Sequence, residues 1–508
     1  MQSTIDWSLK ADKLCLNGKA FVNGQYIDAH DGKTFTQCSP IDGRDLISIA
    51  SCSEKDINDA VFAARSAFED GRWSKMIPKK RKKILFNFAE LIEKHKNELA
   101  LLDTLSMGKP IRDCLNNDIP LAVECIKWYA ELIDKIYDEC LPAQQDVLGL
   151  ITREPLGVVG AITPWNYPME NISWKIAPAL AIGNSLILKP AEESSLSAIY
   201  VAQLAIEAGI PNGVFNVMPG LGEITGKALA LHPDVDGIFF TGSTYIGKQI
   251  MQYSGQSNLK RVALECGGKS AFIVLKDCDR LDVAAEVLAR NIFLNQGQTC
   301  TAPSRLIVEE TVREEVINKL IKHLPDYQPG NPLDETTNVG AIASHEHLQR
   351  VQKYIKIGCE ENAKLIAGGK QVFPVKGGSY FMPTIFDRVE NSMRIAQDEI
   401  FGPVLSIITV KDASEAIKMA NKSRYGLAAA VWSDNLNVAH QVAREIRAGL
   451  IHVNSYGNDD ITAPFGGYKQ SGSGSKDKSL HAINDYSELK TTWIQLQKLY
   501  YWRHALAS

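Results

Sequence analysis

Short apolar runs alternate with helical segments between residues 158 and 253, and this alternation restricts the fold more than any other feature of the sequence. The predicted strands are Val158–Ile162, Ser185–Lys189, Val214–Val217 and Gly237–Phe240. The predicted helices are Met169–Ala181, Ser195–Ala208, Glu223–Leu231 and Thr244–Tyr253. Because consecutive parallel strands need crossover connections, the pattern predicts parallel βαβ units. The expected fold class is α/β, with a doubly wound parallel sheet.

A second α/β region is predicted from about Phe272 to Val453. Its candidate strands are Arg305–Val308, Ala428–Trp432 and Leu450–Val453, and its candidate helices are 313–324 and 438–448. The chain has 508 residues. A single core rarely grows beyond about 250–300 residues, so two or more domains are expected.

Amphipathic helices are predicted in the N-terminal region. Ser53 and Asp56 have the spacing of a capping box, and apolar residues repeat at helical spacing after them. A second helix is expected from about Arg81 to Leu99. A basic run at residues 79–83 is typical either of a solvated first helical turn or of a patch that binds anions. The apolar residues that follow at helical spacing favour the solvated turn.

The charge and hydropathy of the chain exclude several classes of partner. Lysine and arginine number 55 against 59 aspartates and glutamates, which gives a formal net charge of −4. Because nucleic-acid-binding proteins usually show a basic excess or stripe, no nucleic-acid partner is expected. No stretch approaches the ~20 apolar residues of a membrane span, and residues 1–10 lack an apolar signal core. A cytoplasmic protein with no membrane partner is therefore expected.

Among the ten cysteines, Cys300 has the most distinctive surroundings. It follows a polar, glycine-containing turn within the run from Phe293 to Arg305, which makes it a candidate nucleophile. No Cys-x-x-Cys or His-Glu-x-x-His motif is present, so no metal site is expected. His345 and His347 form a lone pair that is typical of a solvated helix start.

Two motifs place polar side chains at the ends of predicted strands. Glu265 follows an apolar stretch and precedes Gly267 and Gly268, so its carboxylate is a candidate general base. Asn166 lies in a turn after the first predicted strand, at the sheet edge where ligands gather, and its amide is a candidate oxyanion donor. Taken singly, an exposed strand-end glutamate and an ordinary turn are the plainer interpretations.

Two further motifs point to a phosphate-bearing or ribose-bearing ligand. Lys189 and Glu192 follow the second predicted strand, where they are either ribose ligands or a surface ion pair. The helix start near Ser243 suits an anion. Its sequence also matches the beginning of a P-loop, but Gln249 stands where a P-loop has Ser or Thr, so ATP hydrolysis is not expected. The fingerprint Gly-x-Gly-x-x-Gly is missing, because the run 220–226 is one residue too long.

These five motifs, in this order, resemble the aldehyde dehydrogenase superfamily. Two further segments, Asp398–Val404 and Pro464–Gly467, resemble signatures of the same family, and the likeness runs from about residue 17 to residue 496. The resemblance implies NAD(P)+-dependent oxidation of an aldehyde to a carboxylic acid. Cys300 would attack the carbonyl, while Asn166 and the Cys300 N–H would hold the oxyanion. Glu265 would activate the water that hydrolyses the thioester.

The resemblance also implies a cofactor site. Its residues would be Trp165, Lys189, Glu192, Gly226, Ser243, Glu265, Gly267, Glu399 and Phe401. Lys189 and Glu192 would contact the adenosine ribose, and Ser243 would contact the pyrophosphate. Glu399 would bind the nicotinamide ribose, with Phe401 packed close by. Because Glu192 would repel a 2′-phosphate, NAD+ is favoured over NADP+, although the adjacent Lys189 leaves NADP+ open.

Within the superfamily, the likeness is greatest to the aminoaldehyde dehydrogenases, through segments 118–120, 128–135 and 459–472. Its implied substrate contacts are Asp118, Tyr167, Trp174, Asp459 and Phe465. Aromatic faces suit cationic or amide-bearing chains, and acids at the entrance attract an amino group. For Asp118, Asp459 and Asp460, a role as solvated surface acids is the alternative. The expected substrate is a polyamine-derived aminoaldehyde such as gamma-glutamyl-gamma-aminobutyraldehyde; indole-3-acetaldehyde, betaine aldehyde and broad aliphatic specificity are the alternatives.

The family architecture implies three parts of the chain. Residues 1–139 and 157–271 would form an NAD-binding domain, residues 272–455 a catalytic domain, and residues 140–156 and 480–500 a small β oligomerisation arm. The tail from Leu489 to Ser508 is rich in Trp, Tyr and Leu, which is typical of a subunit contact. A homodimer or homotetramer is expected.

Three rival functions conflict with particular residues. An enzyme that forms an acyl-CoA would not need Glu265 as a water-activating base. A cofactor-independent thiol esterase would have no use for Lys189, Glu192 and Glu399. A non-catalytic paralogue would not need an intact Cys300.

Overall fold

The computed structural model describes residues 5–496, and its N-terminal region combines six helices with four short strands. The helices are α1 (Trp7–Asp12), α2 (Glu54–Glu69), α3 (Pro78–Lys94), α4 (Lys96–Met107), α5 (Ile111–Asp113) and α6 (Ile119–Leu132). The strands are β1 (Ala20–Val22), β2 (Gln25–Ile27), β3 (Thr34–Cys38) and β4 (Asp45–Ala50). A π-helical turn, Cys114–Asp118, precedes α6.

The helix boundaries confirm one expectation and correct another. Ser53 and Asp56 form the predicted capping box, in which the Asp56 carboxylate accepts the Ser53 N–H at 2.7 Å. The single helix expected from Arg81 to Leu99 is wrong. The backbone leaves helical geometry at His95, with φ −99° and ψ 18°, and the His95 ring bonds to the Tyr200 hydroxyl at 2.9 Å.

The basic run at residues 79–83 is only partly the solvated turn that was expected. Arg81 is buried. Its guanidinium donates to the Ala181 carbonyl at 3.1 Å and to the Met76 carbonyl at 3.2 Å. Ala181 lies in the last turn of a helix, where carbonyls lack partners within the helix, so the buried charge satisfies acceptors that would otherwise be unpaired.

The predicted doubly wound sheet is confirmed for the region after residue 157. Its strands are β7 (Val158–Ile162), β8 (Ser185–Lys189), β9 (Phe215–Val217), β10 (Gly237–Thr241) and β11 (Arg261–Glu265), which follow β5 (Glu139–Leu141) and β6 (Val147–Pro155) of a separate sheet. Its helices are α7 (Pro168–Ile182), α8 (Ser195–Ala208), α9 (Lys227–Leu231) and α10 (Thr244–Gln256). The predicted Glu223–Leu231 helix begins instead as a π-helical turn, Gly222–Gly226.

The strand order of this sheet is β11-β10-β7-β8-β9-β1-β2, and β7 to β11 are parallel. The chain moves outward from β7 through β8 to β9, then returns to add β10 and β11 on the other side. The order therefore reverses between β7 and β10, and crevices at such switch points bind ligands outside the carboxyl ends of the strands. Ile162 pairs with Lys189 and Thr241 pairs with Glu265, so these carboxyl ends share one edge.

The second α/β region is also confirmed. Its strands are β12 (Ala271–Val274), β13 (Arg305–Glu309), β14 (Lys364–Ala367), β15 (Gln371–Val372), β16 (Tyr380–Phe381), β17 (Thr384–Asp387), β18 (Val404–Val410), β19 (Ala428–Trp432) and β20 (Leu450–Val453). Its helices are α11 (Leu281–Phe293), α12 (Arg313–His323), α13 (His345–Glu360), α14 (Arg394–Gln397), α15 (Ala413–Asn421) and α16 (Leu436–Glu445). The main sheet has the order β14-β17-β18-β13-β12-β19-β20, and only β14 is antiparallel to its neighbour.

A third sheet projects from this body and joins distant parts of the chain. After the short helix α17 (Ser479–Ala482), strand β21 (Ser487–Gln495) pairs antiparallel with β6 along nine residues, and β5 pairs with the other edge of β6. Leu489, Trp493 and Ile494 are exposed on β21. Residues 497–508, which include the rest of the aromatic tail, lie outside the described residues.

The described chain contains no candidate for a membrane-crossing helix. Within residues 5–496, no helix combines sufficient length with sufficient apolar character to span a bilayer.

Candidate active site

A cavity of about 660 Å³ lies where the carboxyl edge of the first sheet faces loops of the second α/β region. It brings together most of the residues that the sequence singled out: Asp118, Trp165, Asn166, Tyr167, Trp174, Ser243, Glu265, Gly267, Cys300, Glu399, Phe401, Asp459 and Phe465. Three predicted cofactor residues, Lys189, Glu192 and Gly226, do not line it. Lys189 ends β8, Glu192 follows that strand, and Gly226 follows β9.

A left-handed turn presents Cys300 to this cavity. Asn295, Gln296 and Gly297 have φ values of 48°, 57° and 71°, a conformation that L side chains rarely adopt. Two glutamine side chains bond this turn to the segment 340–343. Gln296 Oε1 accepts the Gly340 N–H at 2.9 Å, and Gln298 Oε1 accepts the Ala343 N–H at 2.9 Å. The polar residues before Cys300 therefore anchor the loop.

The Cys300 thiol is free and half-buried among acidic groups. Burial raises its pKa above the ordinary value, and the nearby carboxylates of Glu399 and Glu265 raise it further. The resting form is therefore the thiol, because a thiolate here would be poorly solvated and close to two carboxylates. Attack by sulfur requires loss of that proton.

The Asn166 side chain is held by the same loop that carries Cys300. Its amide nitrogen donates to the Gln298 carbonyl at 2.9 Å, and its backbone carbonyl accepts from the Asn295 amide at 2.7 Å. A carboxamide nitrogen carries two hydrogens, so one N–H remains for a ligand in the cavity. Asn166 can thus act as an oriented donor beside the thiol.

Glu265 ends β11 as a buried carboxyl with neither oxygen hydrogen-bonded within the described residues. Burial raises its pKa well above the ordinary value, and the nearby Asp477 adds to the rise. Lys175 and Lys476 oppose this effect. A β-carbon at Gly466 would lie 2.7 Å from Glu265 Oε1, so the glycine leaves the space that the carboxyl occupies.

A second carboxyl, Glu399, lies against the glycines that follow Glu265. Its Oε1 accepts the Gly268 N–H at 2.8 Å, and a β-carbon at Gly267 would lie 2.0 Å from its Oε2. Burial raises the pKa of Glu399 to about 7, although the Gly268 N–H and Lys269 oppose the shift. Glycine at 267 is therefore required for this close approach.

Aromatic rings close this side of the cavity, and they include a residue that the sequence did not assign to it. The Trp165 ring lies 5.3 Å from the Phe401 ring and 5.2 Å from the His347 ring. His347 Nε2 donates to the Phe401 carbonyl at 2.7 Å, and burial lowers its pKa to about 4, so the ring is neutral. The expectation that His347 is solvated is wrong, because the first turn of α13 faces the cavity.

The carboxyl edge of the first sheet offers the donors that a dinucleotide needs. The thirteen-residue helix α10 begins directly after Ser243, whose hydroxyl accepts the Ile246 N–H at 3.3 Å. Lys189 Nζ pairs with Glu192 Oε2 at 3.0 Å, and Glu192 Oε1 accepts the Gly222 N–H at 2.6 Å. A β-carbon at Gly226 would meet nothing within 4 Å, so open space lies there. A helix start, a Lys–Glu pair and open glycines suit phosphate and ribose groups.

The other end of the cavity is aromatic. The Tyr167 hydroxyl bonds to Thr299 Oγ1 at 2.8 Å, next to Cys300. The Trp174 and Phe465 rings lie 5.1 Å apart. These three side chains give the predicted substrate end apolar faces for an alkyl chain, and Lys478 Nζ lies 4.9 Å from the Trp174 ring and 5.4 Å from the Phe465 ring.

Two of the three acids expected at the entrance have lysine partners. Lys109 Nζ contacts Asp118 at 2.6 and 2.8 Å, in an almost fully buried pair, and it also lies 3.6 Å from the centre of the Tyr167 ring. Lys478 forms an ion pair with Asp459. Each pair is close to electrically neutral, so neither aspartate offers an isolated negative charge. Asp460 is exposed and bonds to Thr462.

A third acid in this part of the cavity was not predicted. Glu170 is 7% exposed and lines the cavity, and within residues 5–496 its carboxylate has no hydrogen bond or ion pair. The available signal was helical spacing, because Glu170 and Trp174 are four residues apart on one face of α7 and Tyr167 directly precedes that helix.

Comparisons with known proteins agree with this geometry. The family model described as "Aldehyde dehydrogenase family" matches residues 26–492. The NADP/NAD-dependent aldehyde dehydrogenase PuuC of Escherichia coli (strain K12) is 47% identical over 491 residues, which cover 97% of this chain and 98% of that protein.

Two solved structures are similar in both sequence and fold. The gamma-glutamyl-gamma-aminobutyraldehyde dehydrogenase of Burkholderia cenocepacia J2315 is 53% identical, with a TM-score of 0.95 and coverage of 97% of this chain and 99% of that one. An indole-3-acetaldehyde dehydrogenase in complex with NAD+ is 54% identical, with the same TM-score and coverage. A match of this extent, together with the Cys300, Asn166 and Glu265 cavity, establishes that the chain belongs to the aldehyde dehydrogenase family.

Proposed function

We propose that this enzyme oxidises polyamine-derived aminoaldehydes, such as gamma-glutamyl-gamma-aminobutyraldehyde, to carboxylic acids with NAD+. The observation that carries the proposal is one cavity with two chemically different ends. A thiol, an amide donor and a buried carboxyl converge at one end, and aromatic rings with carboxyl groups line the other. The Burkholderia cenocepacia structure that is 53% identical carries the name of an enzyme for this substrate.

In the first half of the proposed reaction, the Cys300 thiol gives up its proton to solvent water and its sulfur attacks the aldehyde carbon. The free N–H of Asn166 and the backbone N–H of Cys300 hold the oxyanion that forms. Removal of one such donor typically costs about 3–4 kcal/mol of transition-state stabilisation. NAD+ supplies the hydride acceptor when it is bound, and the acyl group remains on Cys300 as a thioester.

In the second half, Glu265 accepts a proton from the water that attacks the thioester. Its raised pKa makes it a stronger base than an exposed glutamate, provided that it is ionised when the water reacts. The acid leaves, and the Cys300 sulfur is released for the next turnover. The covalent intermediate on Cys300 divides one difficult oxidation into two easier steps.

The cofactor contacts are proposed on the same grounds. Lys189 and Glu192 would bind the adenosine ribose near Gly226, and Ser243 at the start of α10 would bind the pyrophosphate. Glu399 would bind the nicotinamide ribose over Gly267, between Trp165 and Phe401. Because Glu192 already bonds to Lys189 and to the Gly222 N–H, its negative charge is held in place against a 2′-phosphate.

Indole-3-acetaldehyde is a second candidate substrate. Tyr167, Trp174 and Phe465 form an aromatic wall on which an indole ring can stack. A structure named indole-3-acetaldehyde dehydrogenase is 54% identical to this chain. This alternative fits the aromatic rings of the cavity, but it makes no use of the carboxyl groups beside them.

We also propose that the enzyme is a cytoplasmic homodimer or homotetramer. All ten cysteines are free thiols, as is usual in a reducing compartment. The apolar side chains exposed along β21 support the three-stranded sheet as the subunit contact.

The test is NADH formation at equal enzyme concentration with a panel of aldehydes. The panel contains gamma-glutamyl-gamma-aminobutyraldehyde, 3-aminopropanal, betaine aldehyde, indole-3-acetaldehyde and propanal. We expect kcat/KM for the nitrogen-bearing aliphatic aldehydes to exceed that for propanal by at least about tenfold. A tenfold ratio corresponds to the free energy that one hydrogen bond to a charged group typically contributes.

The control is Cys300→Ala, which removes the sulfur and should abolish NADH formation while NAD+ binding, measured by calorimetry, is retained. Equal rates across the panel, or a preference for indole-3-acetaldehyde, would contradict the aminoaldehyde proposal and leave the dehydrogenase chemistry standing.

A further inference from the structure

The carboxyl groups at the substrate end of the cavity are not equivalent. Asp118 is paired with Lys109, and Asp459 is paired with Lys478. Glu170 is buried in the same wall, yet no cation or hydrogen-bond donor of the described residues reaches it. The Glu170 carboxyl opens into the cavity and has no partner within residues 5–496, so it is available to a partner that comes from a ligand.

The position of Glu170 on α7 directs it toward the substrate. Tyr167 directly precedes α7, Glu170 and Trp174 are four residues apart on one face of that helix, and all three side chains line the cavity. Tyr167 bonds to Thr299, the residue before Cys300. Glu170 therefore lies between an aromatic residue next to the nucleophile and an aromatic residue of the outer wall.

We propose that Glu170 is the specificity-determining residue that binds the cationic nitrogen of an aminoaldehyde. The inference rests on the proposed function and sharpens it, since it favours aldehydes with a free ammonium or quaternary nitrogen over those whose nitrogen is a neutral amide. Glu170 supplies the charge, while Tyr167 and Trp174, whose rings already lie 3.6 Å from Lys109 Nζ and 4.9 Å from Lys478 Nζ, supply apolar walls for the carbon chain of the substrate. Asp118 and Asp459 serve to hold Lys109 and Lys478.

The surroundings of Glu170 determine how its charge varies with pH. Burial raises its pKa to about 8, Asp118 and Asp459 add to the rise, and Lys109 and Lys478 oppose it. The thiols of Cys125 and Cys300 also face this region, and burial keeps their pKa values above the ordinary value.

The sign of the pH effect follows from these charges. Below pH 8 the empty cavity holds mainly the neutral carboxylic acid, and above pH 8 it holds the carboxylate. Cation binding therefore strengthens as the pH rises through about 8, while binding of a neutral aldehyde of the same shape does not.

The first experiment compares two aldehydes of equal size on Glu170→Gln. In 3-aminopropanal an ammonium group replaces the terminal methyl group of butanal. We expect the substitution to raise KM for 3-aminopropanal about tenfold relative to KM for butanal, with little change in kcat, because the charge acts in binding. The matched control is Glu90→Gln, the same change at an exposed glutamate on α3, and it should leave the KM ratio as in the wild type.

The second experiment needs no variant, so it remains informative if Glu170→Gln does not fold. Betaine aldehyde carries a permanent charge, and 3,3-dimethylbutanal has the same shape without it. Their kcat/KM ratio cancels the pH dependence of Cys300 and Glu265, which act on both. We expect the ratio to rise from pH 7 to pH 9 in the wild type and to be flat in Glu170→Gln.

The outcomes separate this inference from the proposed function. If the wild type prefers aminoaldehydes but the ratios are insensitive to Glu170→Gln and to pH, the role of Glu170 is wrong and the function stands. If gamma-glutamyl-gamma-aminobutyraldehyde is preferred and Glu170→Gln does not affect it, a neutral amide is recognised instead. If the wild type distinguishes none of 3-aminopropanal, betaine aldehyde and gamma-glutamyl-gamma-aminobutyraldehyde from alkyl aldehydes, the aminoaldehyde function itself fails.

Discussion

Glu265 illustrates how much depends on the protonation of one buried residue. Its carboxyl ends β11 without a hydrogen-bond partner among the described residues, and burial raises its pKa well above the ordinary value. The raised pKa means that the neutral carboxylic acid persists to a higher pH than in an exposed glutamate, and the carboxylate that acts as the base forms as the pH rises. The proposed hydrolysis of the thioester should therefore accelerate with increasing pH, because the fraction of ionised Glu265 increases.

Substitution of Glu265 should separate the two halves of the reaction. In Glu265→Gln we expect a burst of about one NADH per active site, followed by a steady-state rate about 10²–10⁴-fold below that of the wild type, since a positioned general base contributes this much. Stopped-flow absorbance measures both phases. The residual steady rate should also lose its rise with pH. A variant that turns over at the wild-type rate without a burst would contradict the role of Glu265 as the base.

At the residue scale, the catalytic residues could be predicted from the sequence, but the ion-pair partners of the acidic residues could not. Cys300, Asn166 and Glu265 stand in short local motifs, so their surroundings are visible in the sequence. The lysine partners of Asp118 and Asp459 depend on how loops fold back, and no local pattern reveals them. For the same reason Glu170 was missed, because an acid in a helix is usually solvated and only the packing shows that it is buried.

At the element scale, the turn at residues 295–297 determines where the nucleophile lies. Three successive left-handed residues reverse the chain just before Cys300, and side chains of the turn bond to backbone groups near residues 340–343. Gly297 lies against Gly402, because a β-carbon there would be 2.2 Å from the Gly402 carbonyl oxygen. The turn is thus supported by two separate segments of the second region.

Gly297→Ala should damage both stability and catalysis. A left-handed conformation costs a non-glycine residue about 1–2 kcal/mol, and the overlap with Gly402 adds a further cost of about 1–3 kcal/mol. We expect a lower Tm by differential scanning calorimetry and a lower kcat, because the loop must move.

The matched control is Gly255→Ala in helix α10, where a β-carbon would meet nothing within 4 Å. Alanine favours a helix interior by up to about 1 kcal/mol, so this variant should have an equal or higher Tm. Equal Tm values for Gly297→Ala and the wild type would show that the turn tolerates a side chain.

The elements themselves were largely predictable from apolar periodicity. Strands β7, β8 and β10 were found within one residue of their observed ends because buried parallel strands are short, continuous apolar runs. The break at His95 was missed since both flanking segments have helical periodicity, and only the contact with Tyr200 marks the boundary. The π-helical turn 222–226 was likewise invisible, because its residues suit an ordinary helix.

At the scale of the whole molecule, the three-stranded sheet of β5, β6 and β21 stands apart from both α/β regions. Arg261 at the start of β11 connects it to the body through hydrogen bonds to the carbonyls of Asn484, Asp485 and Ser487. Trp493 is 62% exposed, with Leu489 and Ile494 exposed nearby. Leu489 and Trp493 lie on one face of β21 and Ile494 on the other, and exposed large apolar side chains of this kind are typical of a surface that another subunit covers.

Trp493→Glu should therefore weaken the proposed self-association. A charge in a buried subunit contact is strongly unfavourable, so we expect the mass measured by light scattering to fall from a multiple of 56.0 kDa toward the single-chain value. Phe62→Glu is the matched control, because Phe62 is 75% exposed on α2, away from this sheet. If the mass of Trp493→Glu equals that of the wild type, the contact lies elsewhere.

The pairing of β6 with β21 also has a consequence for biosynthesis. The partners are more than 300 residues apart, so most of the chain leaves the ribosome before β21 exists. During that time β6 has only the three-residue β5 beside it, and its other edge is bare. Bare edges pair readily with other chains, so the nascent protein passes through a long interval of vulnerability to aggregation. Synthesis of β21, rather than the folding of either α/β region, is the event that closes this edge.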